Sequence, residues 1–155
     1  MAMQKISRPS VFSMSGPSMA AMMPQAETCG LCIQTAALAQ DMLNAVTSLH
    51  RIHLKVTGLG SYAAHKALNS GYDAFGDHAD DLVEEYQGAE EKLLDLPNTA
   101  PAELNSVEEA LEFLRKMKDK ITALQSVMPH SEIVNLLDNA KSTINGVKYK
   151  LLFLK

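Results

Sequence analysis

Apolar or small side chains recur at Leu31, Thr35, Leu38, Met42, Ala45, Leu49, Ile52 and Val56, alternating steps of four and three. That spacing marks one buried face of a helix in a bundle. Thr28 is a good N-cap for this first helix, and Gly58 and Gly60 supply its stop. Tyr62, Leu68, Tyr72, Phe75, Ala79, Leu82 and Tyr86 continue the pattern and predict a second helix from about Ser61 to Gln87. Gly71 and Gly76 interrupt it, at about 1 kcal/mol each relative to alanine, unless they are there for close packing.

Residues 88–105, GAEEKLLDLPNTAPAELN, carry two prolines and read as a connection, with a short helical turn expected around Leu93–Leu94. It is long enough to pass from one end of a bundle to the other. Ser106 and Glu109 then have the spacing of a capping box. Val107, Ala110, Leu114, Met117, Ile121 and Leu124 give a third stripe, broken by MPHS at 128–131. Ile133, Leu137, Ala140, Ile144, Val147 and Leu151 give a fourth, from about Ser131 to Leu154, with Lys148, Lys150 and Lys155 favourably near its C-terminus. Four long amphipathic helices with one long connection in the middle predict an all-α fold, a ferritin-like four-helix bundle over residues 28–155. Residues 1–27, with Pro9, Pro17, Pro24 and many serines, show no period and read as a flexible N-terminal tail.

Composition narrows the picture. At 155 residues and 46% hydrophobic, the chain suits one domain, and without Trp its core must be built from Leu, Ala, Val, Ile and Met. No apolar run approaches the ~20 residues of a membrane span, and MAMQKISRPSVFSMSG has no secretory apolar core. A cytoplasmic protein without a membrane partner is the expectation. The net charge of −4 is uneven: residues 61–87 set Lys66 against Asp73, Asp77, Asp80, Asp81, Glu84 and Glu85. Such a segment attracts cations rather than phosphates.

The same segment, with the end of the first helix, holds four of the five histidines. At about 100° per residue, with His65 at zero, Asn69 falls near 40°, Asp80 near 60°, Asp73 near 80° and Glu84 near 100°. They share one polar stripe, and His78, roughly 220° away, does not. His53 lies twelve positions before His65, across a glycine-containing turn. Imidazole nitrogen and carboxylate oxygen together suit iron. The plainer alternative is a network of hydrogen-bonded polar groups at an interface, which needs no metal.

His53, His65, Asn69, Asp80 and Glu84 carry a specific resemblance. The stretch resembles the Dps family (DNA-binding protein from starved cells), the mini-ferritins. Their motif is a His ending the first helix, a His twelve residues later, an Asp four after that, an Asp eleven further and a Glu four further. DHAD at 77–80 and LKVTGLGSYAAHKAL around the turn are similar to the family as well. The resemblance implies a hollow dodecamer, a homo-oligomer whose sites lie between two subunits. His53 and His65 of one chain would face Asp80 and Glu84 of its two-fold partner. Two ferrous ions would be oxidised there by peroxide or oxygen, a ferroxidase reaction by His53, His65, Asp80 and Glu84. Ferric iron would be stored inside, protecting against oxidative damage. The candidate metal ligands are His53, His65, Asn69, Asp73, Asp80 and Glu84.

The chain departs from that pattern in three ways. Asn69 stands where the family has Asp, removing a charge that Asp73 on the same stripe could restore. Leu54 stands where the family often has Trp. The tail offers only Lys5 and Arg8 as basic groups, so any DNA contact would use the assembled surface rather than a basic tail. The middle connection and Met-rich tail resemble the divergent phage-encoded members. Asn69 and Leu54 favour the alternative of a structural or interaction protein that keeps the bundle with weakened or lost ferroxidase activity. His50, one turn before His53, is either a supporting group or simply exposed. Cys29 and Cys32 in CGLC read as ordinary thiols, with zinc or a disulfide as the alternatives. The methionines at 14–23 suit either a soft metal such as Cu(I) or an apolar arm packing on a neighbour.

Overall fold

The computed structural model describes residues 30–154, and within them the chain forms four helices and no strand. They are α1 (Gly30–His53), α2 (Ser61–Glu90), α3 (Val107–Gln125) and α4 (Ser131–Phe153). The tail, the Thr28 cap, Cys29 and the methionines at 14–23 lie outside the described residues.

Each helix exists because its apolar stripe needs covering. α1 buries Thr35, Leu38, Met42, Ala45, Leu49 and Ile52. All six expected inward residues of α4, Ile133, Leu137, Ala140, Ile144, Val147 and Leu151, are buried. α3 buries Ala110, Leu114, Met117, Ile121 and Leu124 as its spacing predicts, and Leu111 in addition. In α2 the stripe runs through Leu68, Phe75, Ala79, Leu82 and Tyr86. Tyr62 departs from it: placed inward by its aromatic character, it is 76% exposed. Six residues before Leu68 it sits about 120° around the helix, out of phase with the core.

α1 packs on α2 and α3, and α4 packs on α2 and α3, which leaves α1 opposite α4 and α2 opposite α3 on the diagonals. Neighbouring helices are antiparallel. Tyr86 reaches Cys32 while His65 reaches His53, and Glu90 meets His130 while Ser70 meets Lys150. The α1–α2 turn therefore lies at one end of the bundle and the α3–α4 turn at the other.

Residues 91–106 must return the chain between those ends, and they do so along α1. The Leu94 amide donates to Gln87 Oε1 at 2.8 Å. Midway, Asn44 Nδ2 donates to the Thr99 carbonyl and hydroxyl at 3.1 and 2.8 Å. Leu104 is buried near Arg51, Leu54 and Lys55. The turn expected at Leu93–Leu94 is not helical. The capping box forms with a shift: Ser106 Oγ accepts from the Glu109 amide at 3.1 Å, while Glu109 Oε2 accepts from Asn105 rather than Ser106, at 2.7 Å.

Two glycine regions shape the site. Gly58 and Gly60 adopt φ of 87° and 77°, a left-handed conformation that lets α1 end at His53 and α2 begin at Ser61 within a tight turn. Gly71 is buried where three helices meet. A Cβ there would lie 3.3 Å from both Leu49 Cδ1 and Val147 Cγ2. Gly71→Val should therefore wedge α2 off α1 and α4 and cost about 1–3 kcal/mol by overpacking, read as a lower urea midpoint. An unchanged midpoint would mean the helices do not approach so closely.

Candidate metal centre

His53 ends α1 and His65 sits in the second turn of α2, and the glycine turn folds one against the other. His53 is buried, with 6% exposure, and His65 is half-buried. Their rings stack with centroids 3.7 Å apart and planes inclined by 26°. Each ring is pinned to the other's backbone: His53 Nδ1 lies 3.0 Å from the His65 carbonyl, and His65 Nδ1 lies 3.3 Å from the His53 carbonyl. A carbonyl oxygen only accepts, so both Nδ1 atoms carry the proton and donate. In the neutral rings the Nε2 lone pairs are left available. This is the arrangement by which proteins fix an imidazole for metal binding.

Around this pair lies a second layer. His50 stacks on Tyr72 at 4.5 Å, and Tyr72 meets His53 edge-on at 5.2 Å. The Tyr72 hydroxyl donates to Asn69 Oδ1 at 3.0 Å, and Asn69 Nδ2 donates to Asp73 Oδ2. Both ends of the Asn69 amide are thus used within the chain. The carbonyl oxygen keeps one lone pair beside the bond from Tyr72. Spacing alone makes Tyr72 an apolar stripe residue, and the structure adds a polar role. Its position three after Asn69, on the edge of the polar stripe, was the signal for a joint role.

Asp80 and Glu84 are exposed and lie elsewhere. Fifteen and nineteen residues beyond His65 on one continuous helix, they are displaced by about 22 and 28 Å along its axis. Among the described residues, no three His, Cys, Asp or Glu side chains converge as a metal donor set. One chain thus presents the six candidates as two separate groups. The imidazoles lie at the turn end of the α1/α2 face, with Asn69 and Asp73 between, and the carboxylates lie further along.

The other two described histidines outside this face, and Cys32, make contacts elsewhere in the bundle. His78 Nε2 is 2.9 Å from Thr143 Oγ1 on α4. Burial lowers its pKa below the ordinary histidine value, against the opposing pull of Asp81 and Asp77. Cys32 is half-buried and accepts the Tyr86 hydroxyl at 3.4 Å. His130 contacts Glu90 at 2.6 Å across the far end of the bundle.

No helix among the described residues is long and apolar enough to cross a membrane. Residues 53–151 match a family of unknown function, DUF5856, and the chain belongs to that family. The matched segment begins at His53 and contains all six candidate residues. No curated protein and no solved structure matches the chain.

Proposed function

We propose that this protein is a Dps-like mini-ferritin that binds and oxidises Fe(II) at a site shared between two copies and stores ferric iron in a hollow oligomer. The observation that carries the reading is the imidazole pair. His53 and His65 are oriented by reciprocal Nδ1–H bonds to backbone carbonyls, with Nε2 available as a metal donor. The ligand spacing from His53 to Glu84 supports it as well. Two imidazoles without a carboxylate make half of an iron site, and Asp80 and Glu84 of a two-fold partner would supply the oxygen donors. Iron is here the substrate: with peroxide, two Fe(II) and one H2O2 give two Fe(III) and two hydroxide ions. His53 and His65 hold the ferrous ions, and the partner's carboxylates would stabilise the added positive charge of the ferric product.

A second reading rests on a specific observation. The Asn69 amide is engaged by Tyr72 and Asp73, as in a structural network that needs no ion. In that case the bundle assembles and does not turn over.

The test is Fe(II) addition to the full chain, with and without oxygen and with peroxide. Ferric absorbance and particle size are followed in the same sample. Rapid stoichiometric oxidation in a large particle is expected. A large particle that oxidises iron no faster than buffer would select the structural reading.

A further inference from the structure

All four helices meet at one end of the bundle without closing it. α1 and α4 end there, α2 and α3 begin there, and a cavity of about 490 Å3 opens between them. Its inner wall is the end of the hydrophobic core, formed by the buried side chains of Ile52, Ala64 and Leu151. Its mouth is apolar too. Leu59 and Leu154 line it and are 99% and 43% exposed. Leu59 stands between Gly58 and Gly60, the two left-handed residues of the turn. A ligand that covers these leucines gains in proportion to the apolar area it removes from water. The volume is that of a small-molecule site, and such sites recur between the helices of bundles.

Charge is confined to two lining residues, Lys55 just beyond α1 and Glu108 in the first turn of α3. Both are exposed, and neither forms an ion pair among the described residues. The inner wall is apolar and the charges are solvent-facing, which suits a molecule with an apolar body and one polar end. Lys55 offers an anionic end its partner. The first amides of α2 and α3 add positive potential, and α2 begins at Gly60 with no side-chain cap to use them. Glu108 brings the lining to zero net charge. One negative charge is therefore matched by Lys55, whereas the second charge of a phosphate ester meets Glu108 uncompensated.

We infer that this cavity binds an amphipathic monocarboxylate, of the class of medium-chain fatty acids. The carboxylate lies at Lys55, the chain runs inward to Ile52, Ala64 and Leu151, and Leu59 and Leu154 fold over it. Neither His53 nor His65 lines the cavity, so the site stands whether or not the imidazole pair oxidises iron.

The test is calorimetric titration of the full chain, without iron, with hexanoate, heptanoate and octanoate. One molecule per chain is expected, with affinity rising on the order of fourfold for each added methylene. Octanol and octyl phosphate should both bind more weakly than octanoate. Lys55→Gln should weaken octanoate about three- to fivefold and leave octanol unchanged. Leu59→Ser, at an exposed position that leaves the fold intact, should weaken both roughly fivefold. Methyl resonances of Ile52, Ala64 and Leu151 should shift during the titration. No binding, several molecules per chain undiminished by either variant, or shifts confined to other parts of the bundle would overturn the site. Wild-type octanoate affinity in Lys55→Gln would overturn the place of the carboxylate.

Discussion

Replacing His65 by alanine is expected to reduce Fe(II) oxidation to the rate seen in buffer, a loss of at least about 100-fold, while the bundle stays folded. Even outer groups that merely orient a metal ligand are worth about 10–100-fold, and His65 would be a ligand itself. The structural cost is small by comparison. The His65 ring donates one hydrogen bond, to the His53 carbonyl, with a net worth of about 0.5–1.5 kcal/mol. The reverse bond, from His53 Nδ1 to the His65 backbone carbonyl, survives the substitution. His53 therefore stays oriented and the variant isolates the second imidazole. Circular dichroism should show unchanged helix content, and stopped-flow ferric absorbance should show no rapid phase. Wild-type kinetics in this variant would remove the proposed centre, because it would leave α2 with no imidazole beside His53.

The sequence exposed the helices more fully than the site. The stripe of α4 was readable to the residue because six apolar positions recur at steps of three and four with no competing face. α2 was harder. Its aromatic residues lie on two sides, so Tyr62 and Tyr72 looked alike, yet Tyr62 is exposed and Tyr72 packs on His50 and His53. The polar stripe placed His65, Asn69 and Asp73 on one face because that depends only on helical pitch. The reciprocal imidazole–carbonyl bonds depend on how Gly58 and Gly60 close the turn, and no periodicity encodes this. Nor could spacing say whether Asn69 is a ligand or a strut, since that depends on rotamers shared with Tyr72 and Asp73. The path of residues 91–106 was bounded by length alone. Its course along α1 rests on single contacts such as Asn44 with Thr99.

The largest loss of stability is expected at Phe75. It lies at the middle of α2 with no exposure, and with Tyr86 it supplies the large rings of a core built mostly of aliphatic chains. Phe75→Ala removes a whole ring from close-packed surroundings that relax only partly, at a cost of about 3–5 kcal/mol. The better helix propensity of alanine returns only about half a kcal/mol. For a chain of this length each kcal/mol moves the midpoint by about 2–4 °C, so Tm should fall by roughly 6–20 °C. Leu154→Ala, at the 43% exposed position just beyond α4, serves as the control and should change stability by less than about 0.5 kcal/mol. Self-association raises Tm by mass action, so both variants must be compared with wild type at one protein concentration. The consequence reaches the metal face. α2 carries the imidazole end and the carboxylate end of the proposed pair on a single rod, and Phe75 anchors that rod at its midpoint. If α2 bends when the ring is lost, His65 of one copy and Asp80 of the other lose register together. Phe75→Ala should then impair oxidation well below its Tm, whereas a variant that is only less stable would oxidise iron normally in the cold.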